Sequence, residues 1–376
     1  MIKVLIISHT SVVTEYRKRF YALSEYKNLD IRVIIPDKWL EMNKWVKYEH
    51  YKNDDLFCLK VHKPAVFWKT KPLLNLTYFF PFLYKELNKF KPDIIDIMEE
   101  PYSFCAFSTI ILNKFLKLNA KIVFFSAQNI YKKYPFPFSF FQNYLFKNAD
   151  LAFPMTEEVK NVMLKHNYKN KFVKLPLGTD IKENNIKKNN NVLNIGFVGR
   201  LELSKGYDLF IKLSKNFNNK QNIKFFIAGS GKDEKIISDI CSKNDNLKFE
   251  GFLNSEKVNE FYNNMHIIIV PSKTTKNWKE QFGRVIIEAY AHNCIVIGSN
   301  SGEIPFVIDN NDFVFEENNF NSLLNCFENT LEIFKDNNKT QNIIKQNFIK
   351  LKEKYSWESI AKITYNSYKD ILKKGN

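Results

Sequence analysis

Short apolar runs alternate with longer stretches whose apolar residues recur every three or four positions, from one end of the chain to the other. Residues 4–7, 31–35, 94–97 and 122–125 are almost wholly apolar and bounded by polar turns, which predicts buried strands. Between them, residues 15–24 and 77–90 carry helical spacing. A second series of predicted strands follows at 193–198, 224–227, 267–270 and 294–298. Strands without a polar face, separated by helices, imply parallel sheets covered on both sides. The pattern predicts an α/β chain of two tandem units.

A polar break separates the two series. Residues 180–191 read DIKENNIKKNNN, which cannot bury a face, so 181–191 reads as a linker. It divides the chain into a first domain at 1–180 and a second at 192–354, and 376 residues suffice for two cores. No repeat of 20–50 residues is evident.

Composition changes the picture only through charge. The chain is 45% hydrophobic and 26% charged, a globular balance, but its net charge is +16. Residues 1–180 carry 28 Lys/Arg against 17 Asp/Glu, so +11 of that excess lies in the first half. Membranes, nucleic acids and phosphorylated substrates are the acidic partner classes this opens. Five scattered cysteines with no C-x-x-C argue against a disulfide framework and a zinc site, and predict reduced, mostly buried thiols. The apolar start at 1–8 is too short for a signal-peptide core, and no run of about 18 apolar residues occurs. A cytoplasmic protein is the expectation.

The candidate chemistry clusters after the predicted strands of the second half. Glu280-Gln281-Phe282-Gly283-Arg284-Val285-Ile286-Ile287-Glu288 follows the strand at 267–270 and opens an apolar segment running to Ala291. A helix over 282–291 would aim its first amides at an anion near Gly283, with Glu280 and Glu288 free to accept from sugar hydroxyls. On spacing alone, the pair reads more readily as a capping Glu and an exposed helical Glu. Gly199-Arg200-Leu201-Glu202-Leu203-Ser204-Lys205-Gly206 follows the strand at 193–198, and Gly199 would permit a tight strand-to-helix turn. Arg200 and Lys205 would place a planar fork and a point charge beside a diphosphate. A third turn, Ala228-Gly229-Ser230-Gly231, is weak by itself. All three sit at the C-terminal ends of predicted parallel strands, the edge where open α/β sheets bind ligands. Together they fit a nucleoside diphosphate carrying a sugar.

These pieces resemble the retaining glycosyltransferases of family 4, the glycosyl transferases group 1. The resemblance is strongest over residues 193–308, in FVGRLELSKGYD, IAGSGKD, LKFEGFL, the E-x7-E motif EQFGRVIIE and CIVIGSNSGEIPFVI. It implies the glycosyltransferase-B architecture, two Rossmann-like domains facing each other across a cleft. The first would be the acceptor side and the second the nucleotide-sugar donor side. Residues 355–376 would form the closing helix that packs back toward the first domain, with Trp357 as a core anchor. By motif match Arg200 and Lys205 would bind the donor diphosphate, Glu280 the transferred sugar and Glu288 the ribose. Backbone groups of Phe282, Gly283, Arg284 and Val285 would hold sugar and phosphate. Glu280, Arg200 and Lys205 are the catalytic candidates. The chain has no D-x-D motif and no metal-ligand cluster, so transfer without a metal or other cofactor is expected, by preorganised charge on the leaving diphosphate.

The first half matches less uniformly. His9 ends the first strand and Glu99-Glu100-Pro101-Tyr102 follows the strand at 94–97, making His9 and Glu100 acceptor-side candidates. Many family members place a His after the strand equivalent to 122–125. Here Gln128 and Asn129 stand in that region, able to bond a hydroxyl but not to carry a proton as imidazole does.

Two stretches, 67–85 and 131–141, mix aromatics with lysines. They read either as an anionic-membrane surface, placing the protein peripherally on the inner face, or as core aromatics rimmed by solvated lysines. No nucleic-acid motif accompanies the charge. The expected activity is transfer of a sugar to a saccharide or lipid-linked saccharide in surface polysaccharide or glycan assembly. A nucleotide-sugar epimerase, a phosphorylase and a non-catalytic nucleotide-sugar-binding protein are the rival readings.

Overall fold

The computed structural model describes residues 1–41, 44–67, 73–181, 188 and 192–373. Most of the expected linker, 182–187 and 189–191, lies outside the described residues, as do 68–72 of the first aromatic stretch. The chain forms two compact units. Residues 1–176 and 357–376 make one, and 177–356 the other.

The first unit is built on a seven-stranded, all-parallel sheet. Its strands are Ile2–Ile7, Leu29–Pro36, Cys58–His62, Ile94–Ile97, Lys121–Ser126, Leu151–Pro154 and Lys171–Phe172. Numbered along the chain, they lie in the order 7-6-5-4-1-2-3. The second unit has six parallel strands, Leu193–Val198, Ile223–Ala228, Leu247–Gly251, Ile267–Val270, Ile295–Ser299 and Val314–Phe315, in the order 3-2-1-4-5-6. Both are doubly wound Rossmann-like sheets. In each, the order reverses between the first and fourth strands, which opens a crevice at their C-terminal ends.

Strand apolarity explains the burial. Val4–Ile7, Ile94, Ile95 and Ile97 are buried, as are Ile267–Ile269 and Ile295–Ile297 in the second unit. The helix Trp357–Lys373 completes the first core, where Trp357, Ile360 and Tyr368 pack with Val4, Phe20, Val33 and Ile94. Four of the five cysteines are buried, Cys58 is partly so, and all are free thiols.

The helix expected over 77–90 is broken. A short helix ends at Thr77, Tyr78–Phe79 pairs antiparallel with Ala65–Val66, and a new helix runs Leu83–Phe90. Pro81 accounts for the interruption, since it lacks an N–H and turns the residue before it away from helix. Of the aromatics in this stretch, Tyr78 and Phe80 are core while Phe82 and Tyr84 are exposed.

Candidate active site

In the second unit, the chain leaving Leu193–Val198 passes Arg200, makes a single 3-10 turn at Leu203–Lys205 and enters the helix Tyr207–Asn216 through Gly206. Gly206 is left-handed (φ 73°), and a Cβ there would lie 1.8 Å from the Pro271 carbonyl oxygen. The loop therefore presses directly on the end of the neighbouring strand, and Lys273 N–H donates to the Ser204 carbonyl at 2.8 Å. The tight turn expected at Gly199 is instead made by Gly206. A Cβ at Gly199 would meet only the Phe197 ring, at 3.6 Å.

That close approach carries Lys205 to Glu280. Lys205 Nζ donates to Glu280 Oε2 at 2.7 Å, and Ser272 Oγ donates to the same oxygen at 2.8 Å. The ammonium also lies 4.6 Å from the centre of the Trp278 ring. Ser299 Oγ in turn donates to the Ser272 carbonyl at 2.6 Å. Behind Glu280, Gly302 is left-handed (φ 58°) and a Cβ there would sit 1.9 Å from the Glu280 carbonyl oxygen. Loops from three adjacent strands thus converge on the buried Glu280, two of them on its carboxylate and the third on its backbone.

The helix expected from 282 begins at Arg284, with left-handed Gly283 (φ 80°, ψ 52°) as its N-cap and no side chain capping it. The Phe282 side chain is buried and packs edge-on to Tyr355, so its ring anchors the loop. Glu288 forms an ion pair with Arg284, whose Nε lies 2.8 Å away, and accepts from Tyr262 Oη at 3.0 Å, which makes it neither a cap nor a solvated helical Glu. Burial, with Glu288 adding to it, pushes the Tyr262 phenol well above its ordinary range. Arg200 is exposed and its guanidinium lies 3.1 Å from Glu202. The 228–231 turn supports the Arg200 loop. A Cβ at Gly229 would lie 1.9 Å from the Gly199 carbonyl, and Leu201 N–H donates to the Ser230 carbonyl at 3.0 Å.

The first unit has its own constellation at the reversal of strand order. Glu99 Oε1 accepts the His9 backbone N–H at 2.7 Å, and Glu99 Oε2 pairs with His9 Nδ1. The His9 ring rests against Trp39 and Tyr78, at centroid distances of 4.9 and 5.7 Å. Burial pulls the imidazole pKa down, but Glu99, helped by Glu41 and Glu100, more than reverses it and the net shift is upward. Glu100 accepts from Ser126 Oγ at 2.7 Å and Ala127 N–H at 2.8 Å, and burial raises its pKa despite both. Gln128 Nε2 donates to the Ile130 carbonyl at 2.7 Å, and Asn129 Nδ2 to Glu158 at 3.4 Å. The Gln128 amide holds its own loop, and that of Asn129 ties the loop to the helix Glu157–Lys165. Glu99 is the residue missed as a partner. The strand order that sets 94–97 beside 2–7 makes it one, and spacing in the sequence does not reveal that order.

Among the described residues, no group of three or more His, Cys, Asp or Glu is placed to hold a metal ion. None of the described helices is long and apolar enough to cross a membrane.

Residues 179–350, almost all of the second unit, match the family model described as Glycosyl transferases group 1. An uncharacterised glycosyltransferase of Methanocaldococcus jannaschii is 30% identical over 179 residues, 46% of this chain and 44% of that protein. The gpi3 subunit of phosphatidylinositol N-acetylglucosaminyltransferase from Schizosaccharomyces pombe is 25% identical over 195 residues, 50% of this chain and 41% of the subunit. The matched stretch thus spans less than half the length of these curated relatives. Two solved structures share the fold over nearly the whole of both chains. A glycosyltransferase from Rickettsia africae superposes with a TM-score of 0.73 at 18% identity, covering 99% of each chain. HepE of Anabaena, in complex with UDP and glucose, gives 0.66 at 14% identity, covering 98% of this chain and 100% of that one.

Proposed function

We propose that this chain, whose residues 179–350 belong to the glycosyl transferases group 1, moves a sugar from a nucleotide-sugar donor to a saccharide or lipid-linked saccharide acceptor in glycan assembly. The observation that carries the reading is the meeting of Lys205, Ser272 and Glu280 at the point where the second sheet reverses its strand order. A cation and a carboxylate held there match the two needs of a nucleotide sugar, charge for the phosphates and acceptors for hydroxyls. HepE, of the same fold, is a complex with UDP and glucose.

In this reading, unit 177–356 is the donor side and the unit containing 1–176 the acceptor side. Arg200 and Lys205 bind the diphosphate, joined by the backbone N–H groups at Gly283, Arg284 and Val285. The departing diphosphate gains its charge in the transition state, so cations fixed beforehand lower the barrier without reorganising. Glu280 holds the transferred hexose and Glu288 the ribose. His9, Glu100, Gln128 and Asn129 belong to the acceptor side. Transfer proceeds with retention and without a divalent ion, the leaving phosphate taking the acceptor proton. The cytoplasm is the compartment we assign.

A thermal-shift screen against UDP-, GDP- and ADP-sugars, with and without EDTA, tests this. One nucleotide class should raise the melting temperature with EDTA present, since a ligand at a hundred times its Kd adds about 2.7 kcal/mol. No shift with any of them, or a shift abolished by EDTA, overturns the donor site as described. The anomeric configuration of the product, read by NMR, decides retention.

A further inference from the structure

The helices Phe104–Phe115 and Phe138–Asn148 pack together on the first unit and leave an aromatic face outward. On the first helix, Cys105, Ala106, Thr109, Ile110 and Asn113 face the core. Its other face carries Phe107, Ile111 and Phe115 at four-residue spacing, where a solvated helix would be polar. The second helix sets Phe140 and Tyr144 beside it, at ring distances of 5.6 and 5.2 Å from Phe107. Phe136, in the loop before the second helix, extends the row. Phe136, Phe115 and Phe140 are 81%, 71% and 49% exposed.

Charge says what covers this face. Residues 101–149 contain six lysines and not one Asp or Glu. Lys114 Nζ lies 5.0 Å from the Tyr144 ring centre, and Lys132 and Lys133 are exposed in the loop that ends at Phe136. Aromatics that insert at headgroup depth, with Lys114 against them and Lys132 and Lys133 exposed in the same segment, fit an anionic lipid surface. A second copy of the chain would bring like charges together across the same face.

We propose that this face docks the first unit onto an anionic bilayer, through Phe136, Phe140 and Phe115 with Lys114, Lys132 and Lys133 around them. The inference goes beyond the transferase reading and does not depend on it.

Flotation of the full-length protein with vesicles of phosphatidylcholine alone, or of phosphatidylcholine with phosphatidylglycerol, tests the proposal. The protein should float with the anionic vesicles only, and 0.5 M NaCl should release it. Two double variants, F136S/F140S and K132Q/K133Q, should each weaken binding roughly tenfold or more. All four residues are exposed, so both variants should keep the wild-type melting temperature and nucleotide-sugar shift. Equal binding to both vesicle types, no binding to either, or variants that float like wild type would overturn the proposal. So would concentration-dependent self-association of the wild type that F136S/F140S abolishes, which would make the face a contact between copies.

Discussion

Lys205 Nζ and Glu280 Oε2 lie 2.7 Å apart although 75 residues separate them, and Ser272 Oγ completes the arrangement on the same carboxylate oxygen. The pair is mostly shielded from solvent, so neither charge can be removed without consequence for the other. Glu280→Gln should abolish transfer, while Lys205→Ala should lower kcat/KM by about 100-fold or more, the order lost with one preorganised electrostatic group. Unfolding of both single variants and the double variant should give a coupling energy of about 0.5–3 kcal/mol. Additive effects in that cycle would mean that the contact does not couple the two side chains.

Gly206 meets two constraints at once, a left-handed backbone and the Pro271 carbonyl 1.8 Å from where a Cβ would be. Gly206→Ala should therefore cost at least about 2 kcal/mol, since the left-handed conformation alone costs an L-residue about 1–2. By contrast, Gly199→Ala meets only ordinary contact with Phe197 and should leave the denaturation midpoint nearly unchanged. Urea titrations of the two variants side by side check this.

Glu99, paired with His9 Nδ1, pushes the imidazole pKa upward against its burial. Its folded-state pKa lies above the ordinary imidazole value, so the pair's contribution to stability is complete below about pH 6.5. That contribution is lost as the pH rises through the raised value. The melting temperature of wild type should exceed that of Glu99→Gln most at pH 6 and progressively less toward pH 9. A gap independent of pH would show that the charge on His9 is not what Glu99 stabilises.

The C-terminal helix is tied to the first sheet by Tyr368, whose Oη donates to Asp96 Oδ2 at 2.5 Å. The other Asp96 oxygen, Oδ1, is buried without a hydrogen-bond partner among the described residues, and burial raises the Asp96 pKa although Arg19 and Tyr368 oppose it. Tyr368→Phe leaves the carboxyl with still less and should cost about 1–3 kcal/mol in chemical denaturation. Full stability in that variant would mean that the helix is held by Trp357, Ile360 and their apolar neighbours alone.

Much of this was legible in the chain. A strand buried on both faces must be apolar wherever it lies, so the two series of parallel strands could be read from pattern, and with them an α/β chain. Pro81 was equally visible as a breaker, yet the helical spacing across 77–90 masked it. The pairing of Tyr78–Phe79 with Ala65–Val66 depends on a strand that local periodicity does not announce. The helix start shifted to Arg284 for a similar reason. Gly283 is free to turn left-handed, and whether it does so depends on what its neighbours pack against.

The sequence by itself determined which residue types stand after which strands, because that follows from chain order and from the apolar core of a doubly wound sheet. It placed Arg200, Lys205, Glu280 and Glu288 in one unit and His9, Glu100, Gln128 and Asn129 in the other. Tertiary structure alone decided their partners. Strand order set Glu99 beside His9, the close approach of Gly206 to Pro271 carried Lys205 to Glu280, and Tyr262 reached Glu288 from another helix. An ion pair is a matter of ångströms between side chains far apart in the chain, and packing fixes those distances where local propensity does not.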